Sequence, residues 1–429
     1  MNDQELSIDE LLADASKFLN DSVTPEKEQT IPEVRKPEKK KPVKKADKKD
    51  EKTKKFIKQE KSPKEKSPET DSKPGSGRKI FGILGKIMLV ILETVLLLVI
   101  ALYGVMFVLA KGPSPTARDL FVMSVRETSA MGWVANIFFM EDEIAKIENP
   151  KQIDEYIEID TSLIQIPQET DPVDGEEDSE DQGPKADAWG LIDEDGDGII
   201  VEEVKGEGYS GYMMVVLDPS RVIVGSVPGS YGARGYTVEE MVEKFDAVAG
   251  TNAGGFHDPN GTGNGSIPDT LVVFEGKVHY AGFGTRKGFV GIDDNYILHV
   301  ANKITEAEIK ERNIQYGVCF GPVLVANGEP CEINISGVNP RTAIGQRSDG
   351  AILMLVIDGR QVISMGATMD DLVNIMLDYG AVNACNLDGG SSSLMWYQGD
   401  YVNNCASVIG IRPVPTAILV LKEGANDNG

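Results

Sequence analysis

"NPRTAIGQRSDGAILMLVIDGR", residues 339–360, places two strand-forming runs on either side of Asp349-Gly350. An Asp-Gly pair between such runs predicts a β-hairpin closed by a two-residue type I′ turn. With 349 and 350 as the loop, Arg341 falls directly across from Asp358, with Cβ atoms about 5 Å apart. A guanidinium then faces a carboxylate at the open end of the hairpin, and antiparallel pairing becomes the theme of the fold.

Working outward, further strands are expected at "YMMVVL" (212–217), "RVIVGSV" (221–227), "DTLVVFEG" (269–276) and "TAILVL" (416–421). Helices are few. Thr237 and Glu240 form a capping box ahead of Met241, Val242 and Phe245. Thr368 and Asp371 do the same ahead of Leu372, Ile375, Met376 and Tyr379, whose spacing is that of one helix face, and Gly380 ends that helix. Neither a regular βαβ alternation nor an internal repeat is present. The fold class is therefore α+β, with mixed or antiparallel twisted sheets and a few helices, over a core at 208–423.

"NLDGGSSS", residues 386–393, lies between the strand-like "AVNAC" and "LMWYQ". Glycines let backbone N–H groups approach a ligand closely, and serines add donors, so Gly389, Gly390, Ser391 and Ser392 can form an anion-binding concavity. Asp388 stands at its lip. "AGTNAGGF" (249–256) likewise runs a strand into the pair Gly254-Gly255, while "GTGNG" (261–265) has no capped helix after it and reads as a loop.

The chain's 429 residues have room for more than this domain. Residues 1–80 are rich in Lys, Glu, Pro and Ser and predict a disordered charged tail. Residues 81–110 include "IMLVILETVLLLVIALYGVMFVLA", in which Glu93 is the one charge over a length that spans a bilayer. The apolar run starts too far along the chain for a secretory signal peptide, which favours an uncleaved signal anchor. Basic residues before it outnumber Lys111, Arg118 and Arg126 after it, so the N-terminus is expected in the cytoplasm and the rest outside the cell membrane. Residues 111–190 read as a helical stalk and acidic linker, and 191–429 as the catalytic unit.

The tail holds 21 Lys and Arg against 17 Asp and Glu, a surplus of four. The chain's net charge of −25 therefore leaves −29 beyond residue 80, which argues against nucleic acid as a partner. An anionic substrate must be captured by particular arginines, against the general field.

"DEDGDGIIVEEV" (193–204) begins as an EF-hand loop does, with Asp193, Asp195 and Asp197 at positions 1, 3 and 5 and Gly198 at 6. Position 12, which needs a bidentate acid, is Val204. These three aspartates are the candidate calcium ligands, in a structural role; no cofactor is required for the chemistry. Of the four cysteines, Cys385 and Cys405 flank a hairpin-like segment and are the better candidate pair for a disulfide.

"NAGGF", the 339–360 segment, "GAVNACNLDGGSSS" and "IRPVPTAILV" (411–420) together resemble the phosphodiester glycosidase family. The resemblance covers about 208–423, with Cys385 and His257 as departures from the pattern. It implies hydrolysis of a sugar joined through its anomeric oxygen to a phosphodiester, in a cell-surface polysaccharide or glycoconjugate; bacterial members are linked with exopolysaccharide biosynthesis. It implies Asp388, Asp358 and Arg341 as catalytic residues. Asn252, Gly254, Gly255, Arg347, Gly389, Gly390, Ser391 and Ser392 would bind substrate. The leaving group is a phosphate monoester, a weak base, so the demand falls on neutralising phosphate and stabilising an oxocarbenium-like centre. Two other classes remain open: a non-catalytic cell-wall or glycan-binding module on the same fold, and a phosphodiesterase cleaving P–O, which would call for metals.

Overall fold

Continuous apolar runs such as Ile352–Ile357 ("ILMLVI") suit strands covered on both faces, and all six residues are buried. In the computed structural model, which describes residues 76–128, 131–148, 157–166, 186–257, 263–281, 288–334, 336–407 and 410–425, this strand is central to the largest sheet. Most of the charged tail and the acidic stretch 169–184 lie outside the described residues.

Among the described residues that sheet has seven strands. Its spatial order is Ile199–Gly206, Tyr209–Val216, Ile352–Ile357, Arg341–Arg347, Ala381–Leu387, Val323–Ala326 and Glu329–Pro330. Two five-stranded sheets accompany it, and every strand pairing is antiparallel. The α+β expectation holds, and the strand expectations at 212–217, 221–227, 269–276 and 416–421 all fall on strands.

Side-chain alternation explains the layers. Ile352, Met354 and Val356 face the central core with Val224, Val290, Leu298 and Ile418 from the other two sheets. Leu353, Leu355 and Ile357 face the opposite way, against Leu372, Ile375 and Met376 of a helix at Met369–Asp378. That helix starts at the predicted Thr368–Asp371 capping box, and Val238–Lys244 starts at the Thr237–Glu240 box. A third box, Thr305–Glu308, caps Glu306–Glu311.

The segment before the domain folds as helix α1 (Ser76–Lys111), helix α2 (Pro115–Arg126), a 3₁₀ segment Gly132–Ile137 and helix α3 (Glu141–Glu148). Within α1, Leu84–Lys111 is long and apolar enough to cross a membrane and is mostly exposed, with Ala110 buried near its end. The stalk is thus helical but broken into pieces.

The four cysteines are free thiols. Burial pushes the Cys385 thiol up, and the Cys319 and Cys331 thiols push it in the same direction. The expected Cys385–Cys405 pairing is therefore corrected: strand Ala381–Leu387 aims Cys385 into the core, while Cys405 lies in an irregular segment that is only half-buried.

Candidate functional site

Strand Ala381–Leu387 ends at Asp388, whose N–H donates to the Ala253 carbonyl at 2.9 Å. The fully buried Asn252 donates its side-chain amide to the Asp388 carbonyl oxygen. Its own Oδ1 accepts from Thr342 Oγ1 at 2.9 Å and from the Leu394 N–H at 3.2 Å. Asn252 thus ties both ends of the 388–394 loop to the sheet and acts through that loop, behind Asp388. Gly254 and Gly255 are buried too, and the Gly254 N–H donates to Thr416 Oγ1 at 3.0 Å.

Glycine is required at 389, because a Cβ there would sit 2.7 Å from the Pro340 carbonyl oxygen. Gly390 has φ +65° and donates its N–H to that same carbonyl at 2.8 Å. The N–H groups of Ser392 and Ser393 bond back to Gly389 and Gly390. Two of the donors expected to cradle an anion, the Gly390 and Ser392 N–H groups, are therefore consumed within the fold. Ser391 is half-exposed and Ser392 buried.

The hairpin register differs from the expectation by one residue. Arg341 pairs with Ile357, and Gln346 with Ile352. The loop has three residues, with Gly350 at φ +93° in the left-handed position that such loops use. Arg341 and Asp358 are consequently not partners. Arg341, buried, donates through Nη2 to Glu127 Oε2 at 2.8 Å and through Nε to the Ala367 carbonyl at 3.1 Å, with the Gly337 carbonyl as a further acceptor. Its guanidinium is largely committed to holding the stalk on the domain.

Asp358 is also committed. Its carboxylate accepts from Asn403 Nδ2 at 3.0 Å, the Asn404 N–H at 3.0 Å and Asn404 Nδ2 at 3.1 Å. Asn403 in turn donates to the Ser393 carbonyl at 3.0 Å and accepts from the Met395 N–H at 2.8 Å. Asp358 therefore positions the far end of the 388–394 loop through Asn403. Arg347, expected to bind substrate, is fully buried. It is held by Asp187 at 2.7 Å, by Asp349 through two bonds, and by the Trp189 ring at 3.9 Å. No face of it is left for a ligand.

Two arginines that the residue-by-residue reading passed over take the positions these lose. Arg360, at φ +58°, donates to Ser391 Oγ at 3.4 Å, Thr128 Oγ1 at 3.1 Å and Asn339 Oδ1 at 3.1 Å. A Cβ on Gly390 would lie 3.4 Å from its Nη2. The residue as a whole is exposed, but its guanidinium is packed among protein atoms. That desolvation, then repulsion from Arg412 and Arg341, lowers its pKa from the ordinary arginine value, although Glu127 opposes the shift. Arg412 stacks 5.6 Å from the centre of the Phe256 ring, and its buried Nε has no acceptor among the described residues. Three cations crowd together beside the loop that follows Asp388, an arrangement suited to an anion with several oxygens. Both newly found arginines stand inside segments already singled out, Arg360 at the end of 339–360 and Arg412 in "IRPVPTAILV".

The carboxylates of Asp193, Asp195 and Asp197 do lie together, with oxygens within 4.8 Å of one another. They are hard donors of the kind calcium takes. Yet Asp193 already accepts from the Gly196 and Gly198 N–H groups at 2.9 Å, and Asp197 from Ile199 N–H at 2.8 Å and Tyr397 Oη at 2.9 Å. The segment then enters strand Ile199–Gly206, which buries Val204 where an EF-hand places its bidentate acid. The aspartates fit a divalent ion in part.

Residues 245–421 match the family model described as phosphodiester glycosidase. The chain is 29% identical over 205 residues to the SPbeta prophage-derived uncharacterized protein YomE of Bacillus subtilis (strain 168), covering 45% of this chain and 31% of that protein. It is 24% identical over 226 residues to human N-acetylglucosamine-1-phosphodiester alpha-N-acetylglucosaminidase, covering 47% and 42% of the two. The chain thus spans less than half the length of these curated relatives. Among solved structures it is similar to the zebrafish N-acetylglucosamine-1-phosphodiester alpha-N-acetylglucosaminidase catalytic domain, with TM-score 0.44 and 19% identity over 52% of this chain and 82% of that one. The resemblance carried by the four motifs is borne out over the matched residues.

Proposed function

We propose that this chain is a membrane-anchored hydrolase that cleaves the C–O bond between a sugar's anomeric carbon and a phosphodiester. The observation that carries the reading is the clustering of Arg360 with Arg412 and Arg341, with Arg360 Nη1 3.4 Å from Ser391 Oγ in the loop that follows Asp388. The buried Nε of Arg412, which has no acceptor among the described residues, is a donor that a phosphate oxygen could satisfy. The human relative's name supplies the first substrate to test, an N-acetylglucosamine 1-phosphodiester.

In this reading Arg360 and Arg412 neutralise the phosphate, so the departing phosphate monoester needs little protonation. Asp388 faces the anomeric carbon, stabilises the oxocarbenium-like centre and assists water or attacks directly. Asn252 and Asp358, through Asn403, hold the loop so that this carboxylate does not wander. Helix α1 serves as the anchor, with the basic tail on the cytoplasmic side and the site outside.

Hydrolysis of the N-acetylglucosamine 1-phosphodiester in ¹⁸O-labelled water tests the bond assignment. Label in the sugar hydroxyl is expected. Label in the phosphate would mean P–O cleavage and overturn it.

A further inference from the structure

The loop after Arg360 is built to present apolar side chains to the outside. Its hairpin is closed by Arg360 N–H to the Met365 carbonyl at 3.1 Å and Gln361 N–H to the Ser364 carbonyl at 2.9 Å. The fully buried Ser364 pins it inward, donating to the Asp358 carbonyl at 2.7 Å, and Met365 N–H bonds to the Gly208 carbonyl at 2.8 Å. Held this way, Val362 at the tip is fully exposed, Ile363 is 81% exposed and Met365 66%. A rigid, uncharged Val-Ile tip on a domain that is otherwise strongly acidic is an unfavourable surface to leave in water.

The stalk shows what covers it. The Tyr103 ring of α1 lies 5.6 Å from Phe138, which meets Phe121 of α2 edge-on at 5.9 Å. Tyr103 is eight residues before the end of α1, so α2 doubles back along the last two turns of the anchor after the Gly112–Ser114 turn. The candidate span of 28 residues exceeds the roughly 20 that a bilayer core requires, leaving those last turns, with Tyr103, for the interfacial zone. The uncharged 131–140 segment packs there and exposes Trp133, Ile137 and Met140. The far end of α2, pointing back toward the bilayer, is where the domain attaches. Gly337 fits against Ser124, where a Cβ would be 2.4 Å from Ser124 Cα, and Glu127 holds Arg341. Thr128 accepts from Arg360 itself.

We infer that the Val362-Ile363 tip and the stalk's Trp133–Met140 face dock on the bilayer that holds α1, and that the substrate is a sugar phosphodiester carried on a lipid of that bilayer. Arg360 stands at the base of the tip, so docking sets its guanidinium at headgroup depth, where a lipid-linked phosphate reaches it without leaving the membrane. The argument rests on the reading above that α1 is an anchor and that these arginines bind phosphate.

The test uses the full chain in phosphatidylcholine nanodiscs. Ile363→Trp adds an indole at the tip, and its fluorescence, taken as the difference from the wild-type chain, is compared between ordinary and acyl-brominated lipid. We expect the bromines to quench the added signal by about half or more, as for an indole seated in the interface. Equal signals in the two lipids would overturn the docking. So would an emission that shifts with the number of chains per disc, which would assign the tip to a second copy. In parallel, Val362→Asp with Ile363→Asp should slow hydrolysis of an N-acetylglucosamine phosphodiester on a dialkyl lipid at least about tenfold, while the methyl phosphodiester in solution is hydrolysed as before. Equal loss on both substrates, or no loss on the lipid-linked one, would overturn the substrate class. A wild-type chain inactive on both would contradict the hydrolase reading instead, and the quenching would still decide the docking.

Discussion

Arg341 is paired with Glu127, 2.8 Å away and 214 residues earlier in the chain, and not with the acid of its own hairpin. The pair welds the end of α2 to the first residue of a central strand. Arg341 is buried and the Glu127 side chain is 25% exposed, so removing Glu127 leaves a buried guanidinium poorly paired. Glu127→Gln is expected to cost about 1–3 kcal/mol, lowering Tm by a few degrees. Arg341→Lys should act in the same direction, because lysine cannot serve Glu127 and the Ala367 carbonyl together. Thermal melts of the two variants check this; melts superimposable on wild type would remove the weld.

Arg360 differs in being exposed as a residue while its guanidinium packs beside Ser391. Arg360→Ala should leave Tm nearly unchanged and raise KM for the phosphodiester by about 10–100-fold, the scale of losing charge-assisted bonds to phosphate. Steady-state kinetics decide it, and an unchanged KM would move phosphate recognition elsewhere.

Asp358→Asn replaces an acceptor-only carboxylate by an amide whose NH₂ meets the N–H groups of Asn403 and Asn404. The expected cost is about 1–3 kcal/mol. Turnover per folded molecule should fall less than when Asp388 is altered, because Asp358 reaches the loop only through Asn403. A larger loss of turnover with unchanged melting would return Asp358 to direct chemistry.

Acid sensitivity should centre in part on Asp187. Burial works to raise its pKa, but the Leu191 and Trp189 N–H groups and the Arg347 guanidinium outweigh it, and the carboxyl is held below its ordinary value. A folded pKa below the unfolded one contributes stability that is present above about pH 4 and lost as pH falls through the folded value. The Tm gap between wild type and Asp187→Asn should therefore be constant near neutrality and close below about pH 4. A gap that widens in acid would contradict the sign.

What was legible in the sequence was what depends on near neighbours. Thr237–Glu240 and Thr368–Asp371 announced their helices because a capping box is complete within four residues. "ILMLVI" announced a strand through composition alone. The register of the 339–360 hairpin was off by one because Asp-Gly serves both the two-residue loop and the three-residue loop found here, with Gly350 left-handed. A one-residue slip exchanges the faces of a strand, and so the Arg341–Asp358 pairing went with it. Glu127 could not be assigned to Arg341 by any spacing argument. The resemblance implied Arg347 as a substrate residue, and only the fold brings Asp187 and Trp189 around it. Arg360 and Arg412 were present in the quoted segments, but their convergence depends on a turn and a strand end that meet only in three dimensions.

The central claim is that Asp388 is the carboxylate that works at the anomeric carbon. Its backbone is fixed by Ala253 and Asn252, so Asp388→Asn, nearly the same shape, should fold normally. The decisive measurement is turnover of the N-acetylglucosamine 1-phosphodiester by folded Asp388→Asn chain, with Tm recorded on the same sample. The account predicts an unchanged Tm and turnover at least about a hundredfold lower, the scale of losing one essential acid–base or electrostatic group. A folded variant that hydrolyses as wild type does would contradict the site assignment and the mechanism built on it.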